Sequence, residues 1–146
     1  MRWCIVAVGK SRLAYARAGI SAYLARLRCF SSVETAYIKP SDPIREGSQL
    51  LSRSAGCFRL ILDERGKGFT SRQFAAEIRK IEGNPRKICA LVVGGAEGLS
   101  EHVVESADLL WSLGPLTLQH ELALVVALEQ IYRAHTILTG LPYHRD

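Results

Sequence analysis

"KICALVVGGAEGLS", residues 87–100, decides the fold. Behind Lys87, six apolar residues follow one another without a polar break. A half-buried strand would alternate apolar and polar side chains, and an amphipathic helix would recur at three and four. An unbroken apolar run bounded by glycine fits a strand covered on both faces, the usual state in a parallel sheet. Gly94 and Gly95 end it and let another group approach the backbone closely.

The segments on either side repeat this logic. Upstream, "FTSRQFAAEIRKIEG" (69–83) places Gln73 three residues after Thr70, a capping-box pattern. Phe74, Ile78 and Ile81 share one face, and Gly83 closes the helix. "FRLILD" (58–63) is the strand before it. At the start of the chain, "RWCIVAVG" (2–9) is another buried strand ended by Gly9. A helix predicted from Ser11 to Arg28 carries Leu13, Ala16, Ile20, Leu24 and Leu27 as its core stripe. "VETAYI" (33–38) is a strand stopped by Pro40. "SDPIREGSQLLSRSAG" (41–56) opens with a cap-like Ser-Asp-Pro and ends at Gly56, which predicts a helix. Downstream come a short helix from Ser100, a fifth strand in "DLLWSL" (108–113), and a last helix over Leu118–Thr139.

Strand and helix therefore alternate five times. The expected architecture is α/β: residues 1–146 as one domain, a parallel sheet with helices on both faces. Ligands in such sheets bind beyond the carboxyl ends of the strands. That rule selects four loops, Lys39–Arg45, Glu64–Gly68, Gly94–Ser100 and Ser112–His120. The Gly94–Ser100 loop is no dinucleotide fingerprint, because G-x-G-x-x-G is absent, and no Gly-Lys-Ser/Thr makes it a P-loop. "RGKG" (65–68) fails the same test. The Ser112–His120 loop contains Leu113, Leu116 and Leu118. A loop this apolar either packs as a connector or shows its backbone polar groups to a flat heterocycle between leucine walls.

Composition narrows the partners. Hydrophobic residues make up 48% of 146, enough for a real core, and the net charge of +5 suits a polyanion such as nucleic acid. Cys4, Cys29, Cys57 and Cys89 are too widely spaced for a zinc site, so no metal is expected. No segment reads as a signal peptide or a membrane span, and a reduced cytoplasm is the expected compartment. "LALVVAL" (122–128) is apolar in every direction around two helical turns, which predicts a second copy on its far side. The chain closes on "TGLPYHRD" (139–146). Pro142 restricts the segment after Gly140, so Tyr143, His144 and Arg145 are expected as an ordered hook.

"AVGK", "LDERGK", "VVGGAEGLS", "LTLQHELA", "LEQIYRAHTI" and "LPYHR" run in the order of one family over essentially the whole chain. The sequence resembles the bacterial 23S ribosomal RNA (pseudouridine) N3-methyltransferases, the large-subunit methyltransferase H family of the SPOUT superfamily. The resemblance implies a C-terminal deep trefoil knot, S-adenosylmethionine as methyl donor, and a homodimer with its sites at the interface. It implies a pseudouridine of large-subunit ribosomal RNA, presented on assembled ribosomes, as substrate. It places the donor against Leu62, Gly94 and the loop Leu113, Gly114, Pro115, Leu116, Thr117 and Leu118. It places His120, Tyr143, His144 and Arg145 near the target base, Arg145 stabilising the base anion and Tyr143 stacking on or hydrogen-bonding to it. The acceptor of the N3 proton is left open between His144, His120 and water.

Two positions depart from the family pattern. Gln119 stands where proline usually precedes the loop histidine, an exchange expected to loosen the loop. Leu124 stands where an arginine is common, removing a positive charge from the expected RNA site. Leu124 favours a rival reading, a noncatalytic ribosome-binding protein that kept the knot. The glycine-rich turn alone favours another, a small nucleotide-binding regulatory domain. Arg12, Arg17, Arg26 and Arg28 beside the first helix stripe, with Lys39, Arg45, Arg65 and Lys67 in the ligand-end loops, each read singly as solvated side chains with snorkelling stems, while as a group they can hold phosphates.

Overall fold

The computed structural model describes residues Met1–Asp146. Its elements are β1 (Arg2–Val8), α1 (Ala14–Leu27), β2 (Val33–Ile38), α2 (Pro43–Arg53) and β3 (Phe58–Gly68), followed by α3 (Ser71–Glu82), β4 (Ile88–Val93), α4 (Glu101–Glu105), β5 (Leu109–Ser112) and α5 (His120–Thr139). All five strands are parallel, in the order β2-β1-β4-β3-β5. The "ICALVV" run is the middle strand, with Cys89 opposite Trp3 on one side and Phe58 on the other. Five of its six residues are buried, which is why the run shows no alternation.

The two faces of the sheet have separate cores. Trp3, Ile5, Leu60, Cys89 and Leu91 point to the face covered by α1, α3 and α5. Val6, Val8, Ile61, Ala90 and Val92 point to the face covered by α2 and α4, against Leu50 and Val103. Each fully buried Ile, Leu or Phe contributes roughly 1.5–3 kcal/mol of transfer free energy. Phe74 stacks on Trp111 with ring centroids 4.0 Å apart, tying α3 to the edge strand β5. The capping box at Thr70–Gln73 is formed, with Gln73 N donating to Thr70 Oγ1 and Thr70 N to Gln73 Oε1. Gly140 ends α5 in the left-handed region at φ 74°, and Leu141 N donates back to Thr136 O at 2.9 Å.

Three boundaries differ from the sequence expectation. Glu64–Gly68 is not a loop: after a register shift, β3 runs on and pairs Lys67 with Trp111 and Gly68 with Ser112. Gly66 makes this possible, since a Cβ there would lie 2.5 Å from the backbone of Leu110. α1 begins at Ala14 rather than Ser11, because the amides of Arg12 and Leu13 donate to Glu121 rather than into the helix. α5 begins at His120 rather than Leu118, because Gln119 caps it.

Candidate active site

The register break in β3 and the carboxyl ends of β4 and β5 surround a cavity of about 580 Å³. Leu62 comes from β3, and Gly94 and Gly95 follow β4. Leu113, Gly114, Leu116, Thr117 and Leu118 come from the β5–α5 loop, and His120 and Ala123 from the first turn of α5. Of the residues the sequence assigned to a donor, only Pro115 is absent from the wall.

Its chemistry is mixed in a definite way. Leu62, Leu99, Leu113 and Leu118 supply apolar surface. The backbone N–H groups of Leu116, Thr117 and Leu118 have no partner within the chain, so they remain free to donate to a ligand. Asp63, Glu64 and Glu97 line the cavity, and no Lys or Arg does. Hydrogen bonds from Arg65 hold the Asp63 carboxyl below its ordinary range. Glu64 and Glu97 form no ion pair. Such a wall accepts a ligand with an aromatic heterocycle and positive charge, and it disfavours phosphates.

Gly94 lies in the tight turn of this wall. A Cβ there would lie 2.8 Å from Leu99 Cδ2 and 3.2 Å from the backbone carbon of Gly98. Its side-chain direction is into the loop, so a larger residue displaces the loop itself.

His120 sits at the mouth, and the two departures beside it take unexpected roles. Gln119 is the N-cap of α5. Its Oε1 accepts from the amides of Glu121 at 2.8 Å and Leu122 at 3.0 Å, capping α5. Its Nε2 lies 3.3 Å from His120 Nδ1. An amide nitrogen only donates, so Nδ1 accepts and Nε2 carries the N–H. Leu124 does not face the site: it is 4% exposed and belongs to the core beneath α5. The feature that favoured a noncatalytic protein is thus a packing residue.

The terminal hook is ordered and lies elsewhere in the same chain. Tyr143 packs edge-on against Tyr132, with centroids 4.7 Å apart, and donates to Glu129 Oε1 at 3.0 Å. Burial, reinforced by its contacts with Tyr23 and Glu129, pushes the Tyr143 phenol up. Arg133 lies over the Tyr143 ring and donates to His144 Nδ1 at 3.2 Å. His144 Nε2 then donates to Asp146, which also pairs with Arg72. These bonds occupy both His144 nitrogens. Arg145 is exposed and forms no ion pair. At about 1.5 Å per residue, Glu129 and Arg133 lie roughly 14–20 Å along α5 from His120. One chain therefore keeps His120 apart from Tyr143, His144 and Arg145.

The basic residues are divided as well. Arg65 pairs with Asp63 and Glu101, Arg45 with Asp42, and Arg26 lies over Tyr23 and Tyr132. Lys10 and Arg12 line a neighbouring cavity without an ion pair. Two buried carboxylates of that neighbouring cavity were missed from sequence. Glu121 accepts from Arg12 N at 2.7 Å and Leu13 N at 3.2 Å, and Glu46 accepts from Ser41 N at 2.8 Å. The signal was present: Glu46 precedes Leu50 by four, and Glu121 precedes Leu124 and Leu128 on the core stripe.

A sequence profile described as "Predicted SPOUT methyltransferase" matches residues 1–144. The chain belongs to the SPOUT methyltransferase family. A relative from Thermus thermophilus, named ribosomal RNA large subunit methyltransferase H, is 46% identical over 145 residues, covering 99% of both chains. Among solved structures, a probable methyltransferase from Bordetella pertussis superposes with a TM-score of 0.61 at 14% identity, covering 91% of this chain and 93% of that one. A putative methyltransferase from Legionella pneumophila, in complex with bound SAM, reaches a TM-score of 0.53 at 16% identity, covering 92% of this chain and 66% of that one. These likenesses support the α/β SPOUT fold, and the profile and the Thermus relative extend across the site-bearing loops and α5. No helix is long and apolar enough to cross a membrane, and no group of three His, Cys, Asp or Glu side chains is placed to hold a metal ion.

Proposed function

We propose that the chain transfers a methyl group from S-adenosylmethionine to N3 of a pseudouridine in large-subunit ribosomal RNA, on assembled ribosomes, as a cytoplasmic homodimer. It is a ribosomal RNA methyltransferase, as its relatives of the same length are named. The observation that carries the donor is the cavity at the strand ends: leucine walls, free amides at Leu116–Leu118, and the unpaired carboxylates of Glu64 and Glu97. Those features fit adenine together with a sulfonium and an ammonium. S-adenosylmethionine, bound to the neighbour from Legionella pneumophila, has these groups.

The donor supplies an already activated methyl group, so this chain's work is alignment and charge. Leu62, Leu113 and Leu118 exclude water from the heterocycle. His120 presents its Nε2–H at the mouth, where it donates to a carbonyl oxygen of the base as the N3 proton leaves. His144 has both ring nitrogens engaged and serves to position the tail, so water accepts the proton. Arg145, exposed and unpaired, supplies positive charge to the base anion. Because it cannot share a pocket with His120 of its own chain, the reading requires the tail of a second copy. The half-exposed side chains of Leu122, Val125 and Val126 on α5 suit that contact. The trefoil knot belongs to the same proposal: after edge strand β5 the chain returns across the strand ends to α5, packed between α1 and α3.

The test is transfer of labelled methyl from S-adenosylmethionine to ribosomes lacking the modification. Incorporation into large-subunit RNA is expected. Donor binding without incorporation into ribosomes or free ribosomal RNA would overturn the activity.

A further inference from the structure

A second cavity, of about 530 Å³, adjoins the first and shares Gly95, Ala96, Glu97 and His120 with it. Its character is different. Eight of the 19 residues around the first cavity are hydrophobic, against two of 13 here, so the second is built for a polar guest. Lys10 and Arg12 stand on its rim without ion pairs. Ser41 and Glu46 come from the far side, at the start of α2. Glu121 fixes the Lys10–Leu13 turn from α5 through the amides of Arg12 and Leu13.

Glu46 is the unusual group. It is 5% exposed, yet only Oε2 is used, by the amide of Ser41 at 2.8 Å. Oε1 has no hydrogen-bond partner in the chain, and it lies 3.5 Å from where a Cβ on Gly95 would be, beside the wall shared by the two cavities. The residue is buried, but Oε1 itself opens on the cavity, since no fully buried side-chain oxygen lacks a partner; it is an acceptor free for an N–H donor.

We propose that this cavity holds the target nucleotide, with Glu46 accepting a base N–H and Lys10 and Arg12 meeting the flanking phosphates. The proposal rests on the reading above and adds the means of selection. Pseudouridine is attached through carbon, so its N1 keeps a hydrogen that uridine lacks. With that N1–H on Glu46, the site rejects uridine, since a site built for a donor leaves its acceptor unpaired when the donor is missing. A flipped-out base would enter next to the donor, as enzymes that act on bases require. Glu97 also lines this cavity, and its exposed carboxylate faces water.

The probes are pseudouridine 5′-monophosphate and uridine 5′-monophosphate, titrated into the S-adenosylmethionine-saturated protein and followed by amide NMR. Shifts are expected at residues 9–12, 41 and 95–97, with pseudouridine binding about tenfold more tightly. Glu46→Gln must give up either the Ser41 amide or the ligand, and is expected to erase that preference while donor affinity stays within twofold. Lys10→Ala, an exposed change that leaves the core intact, is expected to weaken both nucleotides equally. Shifts confined to other surfaces, or an unchanged preference in Glu46→Gln, would overturn the proposal. If the wild type selects pseudouridine here but methylates no ribosome, the nucleotide site stands and the activity falls. If ribosomes are methylated and these shifts are absent, the activity stands and this site falls.

Discussion

Glu121 joins the two halves of the site, and its removal has a calculable cost. Oε1 accepts from Arg12 N at 2.7 Å and Leu13 N at 3.2 Å, holding the turn after β1 against the start of α5. Hydrogen bonds to a charged group contribute about 1.5–3 kcal/mol each. One oxygen serves both donors and the carboxylate edge reaches solvent, so the lower bound, reduced by about a third for screening, gives about 2 kcal/mol for Glu121→Ala. In a chain of this size that corresponds to a fall in Tm of roughly 4–8 °C. Glu121→Gln keeps an oxygen but loses the charge, and neutral bonds are about half as strong, so a fall of roughly 2–4 °C is expected. The pH dependence separates charge from shape. Burial pushes the Glu121 carboxyl up, but the amides of Leu13 and Arg12, the Ser11 hydroxyl and the charge of His120 outweigh it and hold it below the ordinary value. A depressed folded pKa means stability that is present above the unfolded value, about 4.3, and lost as pH falls through the folded value. The gap between wild type and Glu121→Gln should therefore be full at pH 7 and shrink below about pH 4. Thermal unfolding at fixed protein concentration measures both. A Tm for Glu121→Ala within 1 °C of wild type at pH 7, or a pH-independent gap for Glu121→Gln, would refute the reasoning.

Arg145→Ala should lower single-turnover methyl transfer by about tenfold to a thousandfold, as expected for losing a charge at a developing anion, with Tm unchanged because the side chain is exposed and forms no ion pair in its own chain. Gly94→Val should abolish donor binding by calorimetry and also lower Tm, because its Cβ collides with Leu99 and the Gly98 backbone; wild-type affinity would move the donor elsewhere. Light scattering across dilution should give a dimer throughout, and a folded active monomer would remove the shared site.

The sheet was legible because its middle strands announce themselves. "ICALVV" and "CIVAV" are apolar throughout, and both are buried on both faces. The end of β3 was not legible. "ERGKG" is charged and glycine-rich, which reads as a loop, and its pairing with β5 depends on Gly66 admitting the backbone of Leu110, a contact between residues 44 positions apart. The loop 113–118 was assigned to a donor only by resemblance; its apolar composition alone left it open between a packed connector and a ligand wall. The capping role of Gln119 was not legible because a family pattern records which residue is usual, while capping depends on where its oxygen falls. The separation of His120 from the tail was hidden for a plainer reason: sequence order brings both to one C-terminal segment, and only the length of α5 holds them apart.

Mass spectrometry of large-subunit RNA tests the central claim most directly. Ribosomes lacking the modification are incubated with the protein and S-adenosylmethionine, and the RNA is digested and its nucleosides and fragments mapped. One added methyl, on N3 of a single pseudouridine, is the predicted result. A methyl on another nucleotide or on protein, or none while the donor is bound, would contradict it.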